Sequence, residues 1–238
     1  MKLSIIIPVY NEEKTISQLL RLVIAAELPA SIKKEIIVID DGSTDKTNKI
    51  LSELKSKSAK FKVFSHLNNQ GKGAAVRTGL KQSTGDVMII QDADLEYSPK
   101  DYAKLLQPIL QGEQQVVYGT RLKNYPLRFR GSNKTVLPTH LLANRFLTTV
   151  TNLLYGSNLT DMETCYKVFA KKVIEDIELQ SDGFDFEPEL TAKILKKGIR
   201  IFEIPIITKP RTYSEGKKIG FTDGIIAIWA LFKYRFTN

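Results

Sequence analysis

A chain of 238 residues with 42% hydrophobic and 26% charged side chains has the balance of a globular protein, which excludes a collagen-like, disordered or disulfide-scaffolded chain. One cysteine, Cys165, and two histidines, His66 and His140, leave no donor set for a thiolate or imidazole zinc site, so a hard cation on carboxylates is the metal to expect. Thirty-five Lys and Arg against 26 Asp and Glu give a formal charge of +9, pointing to an anionic partner: nucleic acid, phospholipid or a phosphorylated metabolite.

The N-terminal half alternates strand and helix patterns. Residues 3–9 (LSIIIPV) form a short β-rich run, and residues 14–26 place Ile16, Leu19, Leu20, Val23 and Ile24 at helical spacing. Residues 35–40 (EIIVID) are near-continuously apolar, as central parallel strands are. A turn at 41–45 and a helix over 47–57 follow, then a shorter strand over 62–65 and a helix over 73–82. A strand over 86–91, a helix from 99 to about 111 and a strand over 115–118 complete the alternation. This predicts an α/β fold with a mostly parallel sheet, helices on both faces, and ligands beyond the carboxyl ends of the strands.

Beyond Arg121 the alternation stops. Residues 125–139 read as a loop, 141–155 and 190–197 as helices, 200–204 as a strand and 222–234 as a final helix. The expected organisation is one domain over 1–218 with an appended amphipathic helical segment over 219–238. No run approaches the ~20 apolar residues of a membrane span, and the N-terminus is a strand pattern, not a signal peptide. A cytoplasmic protein, or one held to a membrane from its cytosolic side, is therefore expected.

The charge is segregated. Residues 114–160 contain no acid but include Arg121, Lys123, Arg128, Arg130, Lys134 and Arg145, and a second basic group holds Lys209, Arg211, Lys217 and Lys218. Arginine suits bidentate phosphate recognition better than mere solubility does. The carboxylates instead gather after the expected strands. Asp92-Ala93-Asp94 directly follows a strand, with Glu96 one step on, and such a set suits Mg²⁺ or Mn²⁺, which complete their shells with water and substrate phosphates. In Asp40-Asp41-Gly42-Ser43-Thr44-Asp45 capping accounts for one acid, so at least one of Asp40 and Asp41 is expected to accept hydrogen bonds from a base or ribose. Pro8-Val9-Tyr10-Asn11-Glu12 offers an aromatic face, an amide and a carboxylate at the same edge. Gly71-Lys72-Gly73 precedes a helix but completes neither the G-x-G-x-x-G nor the Walker pattern, and reads equally as a ligand contact or as a flexible entry turn.

In this order IIIPVYNE (residues 5–12), VIDDGSTD (38–45), GKGAA (71–75) and QDADLE (91–96) resemble the family-2 glycosyltransferases, whose glycosyltransferase-A fold binds nucleotide sugars. YGTR (118–121), LTDMETCYKVF (159–169), GFDFEPE (183–189) and RTYSEGK (211–217) are similar to its polyprenyl-phosphate branch, which includes dolichyl-phosphate mannose and glucose synthases. The resemblance implies that Asp92, Asp94 and Glu96 hold Mg²⁺ or Mn²⁺ on the donor diphosphate, many relatives having Gln in place of Glu96. It implies that Pro8, Tyr10, Glu12, Asp40, Asp41, Gly71 and Asp92 surround the nucleotide. Arg121 with Arg128 or Arg130 would grip the acceptor phosphate, and Arg211 and Lys217 would close over the diphosphate. Relatives often read R-x-x-G-x-S-K, whereas here Ser214 and Gly216 are exchanged about Glu215.

The chemistry matches those residue types. A departing diphosphate needs positive charge, which a divalent ion, Arg211 and Lys217 would supply. A phosphate monoester with a second pKa of ~6 is already ionised at neutral pH and attacks without a general base. A single inverting displacement onto a polyprenyl phosphate is therefore expected. Asp161 and Glu163 are placed to orient the sugar or the arginines, with helix capping the competing role for Asp161. Trp229, Phe232, Tyr234 and Phe236 with Lys233 and Arg235 suit either a membrane interface or internal packing. Many relatives carry transmembrane helices after this point, where this chain ends, so peripheral association is expected, aided by a membrane-protein partner or by homo-oligomerisation. Two rivals remain. A family-2 transferase acting on a glycan hydroxyl would need a base near Asp161 to Glu163, and a basic nucleic-acid-binding domain would leave the strand-end carboxylates repelling phosphate.

Overall fold

The computed structural model describes residues 1–123, 138–211 and 220–237. Its elements run β1 (Lys2–Val9), α1 (Ile16–Ala25), β2 (Lys33–Asp40), α2 (Thr47–Lys57), β3 (Lys62–Ser65), α3 (Lys72–Gln82) and β4 (Val87–Ile90). A 3-10 turn (Pro99–Asp101), α4 (Tyr102–Leu110), β5 (Val116–Thr120), α5 (Pro138–Tyr155), β6 (Lys167–Ala170) and α6 (Lys171–Ile174) come next. The chain finishes with α7 (Phe186–Lys196), β7 (Ile201–Pro205) and α8 (Phe221–Phe236).

The strands form one sheet in the order β3-β2-β1-β4-β6-β5-β7. β1 lies parallel to β2 and β4, β2 to β3, and β5 to β7, while β6 runs antiparallel to both its neighbours. The expected mostly parallel α/β sheet is thus present. Ile5, Ile6 and Ile7 of β1 and Val38 of β2 are buried among α1, α4 and α7 side chains, as near-continuous apolar strands must be when both faces are covered. Because β1, β2, β4 and β5 point the same way, their carboxyl ends share one edge, and that edge carries the carboxylates and Arg121.

Three expectations change. Residues 167–170 form β6, a four-residue strand that the sequence pattern did not announce, wedged between β4 and β5. α7 starts at Phe186, not near residue 190, because Glu187, Pro188 and Glu189 of its first turn are buried rather than looped. α5 begins at Pro138, inside the stretch read as loop, most of which lies outside the described residues.

The inner face of α8 packs against the rest of the domain. Ala227 and Leu231 pack with Leu147, Leu159 and Met162, and the Tyr155 hydroxyl donates to the Leu231 carbonyl at 2.6 Å. Tyr234 is buried with the Lys193 ammonium 4.6 Å over its ring. The opposite side exposes Ile225, Trp229 and Phe236. No described helix is long and apolar enough to cross a membrane.

Candidate active site

A cleft of about 430 Å³ opens at the carboxyl edge of the sheet. The loops after β1 and β2 build one wall and are stitched together by side chains. Asn11, in the left-handed region at φ 52°, accepts from Thr44 N at 2.8 Å and Asp45 N at 3.3 Å, and its own N–H donates to Ser43 Oγ at 3.0 Å. Asp45 accepts from Glu13 N at 3.1 Å and Thr47 N at 2.9 Å; burial would raise its carboxyl, but these hydrogen bonds outweigh it and hold the group low. This frame presents Pro8, Tyr10 and Glu12 to the cleft.

The paired aspartates at the end of β2 both also have partners within the fold. Asp40 accepts from Ser43 N at 3.1 Å and Asn48 Nδ2 at 3.0 Å and does not line the cleft. Asp41 does line it, yet accepts from Gln70 N at 3.0 Å and Gly71 N at 2.8 Å and lies 2.6 Å from His66 Nδ1. Asp41 therefore shapes the Gly71 turn.

That turn lines the cleft and is not a slack entry. Gly71 has φ +97°, and a Cβ there would come 2.3 Å from the Asp182 carbonyl; one on Gly73 would come 2.3 Å from the Ser181 carbonyl. The glycines let residues 181–183 close onto α3. Lys72 then reaches between two carboxylates, 2.8 Å from Asp92 Oδ1 and 2.8 Å from Glu187 Oε1. Burial alone would lower its ammonium; the two carboxylates outweigh that and hold it well above its ordinary range.

Asp92 and Asp94 follow β4, with Leu95 at φ 64° turning the chain between Asp94 and Glu96. Arg211 covers the trio from the far end of the sequence: its Nη2 lies 3.0 Å from Asp94 Oδ2 and 3.3 Å from Glu12 Oε1, and its N–H donates to Glu96 Oε1 at 3.1 Å. Burial, then Asp92 and Glu96, push Asp94 up to about 6 despite Arg211. Negative charge at this point exceeds the positive charge the chain supplies, and the donors are hard oxygens, so a divalent cation fits. The three-ligand set Asp92, Asp94 and Glu96 is not assembled, however. Among the described residues no cluster of three or more His, Cys, Asp or Glu is arranged to hold a metal, and Glu96 is turned to the Arg211 backbone.

Arg121, at the end of β5, is held by buried Asp161, which accepts from its N at 2.9 Å and from Nε and Nη2 at 2.7 Å each. Asp161 caps no helix; Glu203 of β7 fixes it by accepting its N–H at 2.9 Å. Next to it Glu163 lines the cleft with Oε1 buried and unpartnered among the described residues. Burial, then Glu187, push the Glu163 carboxyl up to about 8.

Pro8, Tyr10, Glu12, Asp41, Gly71, Asp92, Asp94, Glu96, Arg121 and Arg211 thus share one cleft. Arg128, Arg130 and Lys217 lie outside the described residues. Lys72 and Glu187 emerge as cleft residues that sequence reasoning left without a role; the clue was the GKG turn and the acidic GFDFEPE stretch, which join only in three dimensions.

Residues 4–178 match the family described as Glycosyl transferase family 2. The chain is 33% identical over 227 residues to the UDP-N-acetylglucosamine–dolichyl-phosphate N-acetylglucosaminyltransferase of Methanococcus voltae, an alignment covering 88% of this chain and 86% of that one. It is 30% identical over 227 residues to the dolichol-phosphate mannosyltransferase of Pyrococcus furiosus, covering 93% of this chain and 60% of the relative. Glucosyl-3-phosphoglycerate synthase from Mycobacterium tuberculosis, solved with Mn²⁺, UDP and phosphoglyceric acid, superposes with a TM-score of 0.72 at 22% identity, covering 100% of this chain and 79% of that one. The shared architecture is the glycosyltransferase-A fold.

Proposed function

Because this chain belongs to glycosyl transferase family 2, and is a glycosyltransferase, we propose that it moves a hexose from a UDP- or GDP-linked donor to the phosphate of a polyprenyl lipid, inverting the anomeric carbon. The carrying observation is what the cleft does with its acids near Arg121. A sugar hydroxyl as acceptor needs a general base. Asp161 spends both oxygens on Arg121, and Glu163, at about 8, keeps its proton at neutral pH. A phosphate monoester, already ionised, needs an anchored cation instead, and Arg121 is one. The names of the M. voltae and P. furiosus relatives support the same acceptor class, dolichyl or otherwise polyprenyl.

In this account Pro8, Tyr10, Glu12 and Asp41 border the nucleotide, and Arg211 lies over the diphosphate. Asp94, with Asp92, would hold Mg²⁺ or Mn²⁺, which when bound supplies Lewis-acid stabilisation of the leaving diphosphate. Arg211 would exchange its contact with Asp94 for the phosphate oxygens. Lys72 keeps Asp92 ionised throughout, and Asp161 keeps the Arg121 guanidinium aimed. Lys217, with Arg128 or Arg130, would complete the two phosphate grips.

The catalytic unit is taken as residues 1–218. The outer face of α8, with Ile225, Trp229 and Phe236 exposed beside Lys233 and Arg235, would rest in the cytosolic leaflet of a membrane and bring the cleft to its lipid. The test is mass spectrometry of products after incubation with UDP-glucose, UDP-N-acetylglucosamine or GDP-mannose, a short polyprenyl phosphate and Mg²⁺. A hexosyl phospholipid is expected. Transfer to an added oligosaccharide but not to the lipid phosphate would overturn the proposal.

A further inference from the structure

We propose that Glu203 is a positioning residue for the acceptor phosphate, acting through the Thr160–Asp161 turn to set the direction of the Arg121 guanidinium. The inference rests on the reading of Arg121 as the acceptor grip and adds the residue that gives that grip its aim. Glu203 itself does not line the cleft. It lies on β7, an edge strand, in register with Tyr118 of β5, the strand that ends just before Arg121. Its Oε1 accepts from Asp161 N at 2.9 Å and from Thr160 N at 3.0 Å. Its Oε2 accepts from Thr160 N at 2.8 Å and from the Thr160 hydroxyl at 2.8 Å.

The direction of the hydrogen bonds extends this hold to both sides of Arg121. A carboxylate only accepts, so the Thr160 hydroxyl gives its proton to Glu203. It must then accept from the Thr120 hydroxyl, 2.7 Å away. The Thr120 oxygen in turn accepts from Leu122 N at 3.2 Å. One line therefore runs from Glu203 through Thr160 and Thr120 to the backbone that follows Arg121. A second runs from Glu203 through Asp161 to the backbone N–H and guanidinium of Arg121 itself. Both meet at one partly buried carboxylate whose oxygens are spent entirely on this turn. An arginine fixed in this way presents its remaining N–H groups to a phosphate in one orientation. A displacement of about 1 Å in such a group costs on the order of a hundredfold in rate.

The test is calorimetric titration in Mg²⁺ of UDP or GDP, whichever the wild type binds, and then of a short polyprenyl phosphate into the nucleotide-loaded protein. Glu203→Ala should weaken binding of the lipid phosphate about tenfold or more and leave the nucleotide Kd within about twofold. Glu203→Gln should recover most of the loss, because its amide oxygen still accepts from both N–H groups and its NH₂ donates to the Thr160 hydroxyl. Adding Glu203→Ala to Arg121→Ala should weaken the lipid no further, since Glu203 acts only through Arg121. Thr160→Val cuts the hydroxyl line alone and should give a smaller loss of the same kind, which keeps the proposal testable should Glu203→Ala not fold. Unchanged lipid binding in the folded variants, equal losses for lipid and nucleotide, or additive losses in the double variant would overturn the role of Glu203. Wild type and Arg121→Ala decide the reading beneath it. A wild type that does not bind the lipid phosphate, or an Arg121→Ala protein that loses only the nucleotide, would overturn the acceptor grip and this inference with it.

Discussion

Replacing Asp161 by Ala removes the acceptor that holds Arg121. The carboxylate is fully buried, accepts from three Arg121 nitrogens at 2.7–2.9 Å, and faces a guanidinium with only 20% of its side-chain surface exposed. Breaking a buried pair by removing one partner costs about 3–5 kcal/mol, since the other charge is left uncompensated. For a chain of this size each kcal/mol moves Tm by about 2–4 °C, so a fall on the order of 10 °C is expected. Thermal and urea unfolding of Asp161→Ala, Arg121→Ala and the double variant would read it, and the double variant should lose less than the sum of the singles. A fall in Tm under about 2 °C, or additive losses, would mean that the pair behaves as a solvent-screened surface contact. Arg121 would then not be an anchored cation.

Three further outcomes follow from the same network. Lys72→Met should destabilise the fold by about 3–5 kcal/mol in urea, because Asp92 and Glu187 lose their shared cation, and Lys72→Arg should recover much of it; a loss below about 1 kcal/mol would contradict the bridge. Gly73→Ala should cost about 1–3 kcal/mol, because its Cβ would meet the Ser181 carbonyl at 2.3 Å, and an unchanged urea midpoint would refute that close approach. Glu163 titrates at about 8 in the fold against an ordinary 4.5, so the folded state holds a proton that the unfolded chain releases between those values. Wild-type stability should therefore fall as pH rises from about 5 to 8, by up to ~1.4 kcal/mol per pH unit from this group, and Glu163→Gln should flatten that slope. Parallel slopes for the two proteins would disprove the raised carboxyl.

Much of the fold is legible in the sequence because parallel strands buried on both faces leave apolar runs such as IIIPV and IIVID, and α1 an apolar stripe. β6 escapes because KVFA is too short to show a period and takes its place only through β4 and β5, which are distant in sequence. The start of α7 escapes because Glu187, Pro188 and Glu189 read as a polar loop. In the fold Pro188 sits in the first turn, where proline is tolerated, and Glu189 accepts the N–H groups of Gln180 and Ser181. The strand-end acids announce the cleft for the same reason that parallel sheets bind ligands at one edge. Their division of labour is hidden, since Asp40 and Asp41 as neighbours give no sign that one braces α2 and the other the Gly71 turn. Likewise Lys72 beside two glycines gives no sign of Glu187, which only the fold brings to it.

The account depends on a nucleotide sugar binding at Asp94 with a divalent cation. Calorimetric titration of UDP- and GDP-sugars into wild type and Asp94→Asn, with Mg²⁺ or Mn²⁺ and with EDTA, tests this most directly. Metal-dependent binding to the wild type that Asp94→Asn abolishes is the predicted result. Binding that is equally tight in EDTA and in the Asp94→Asn protein would contradict it.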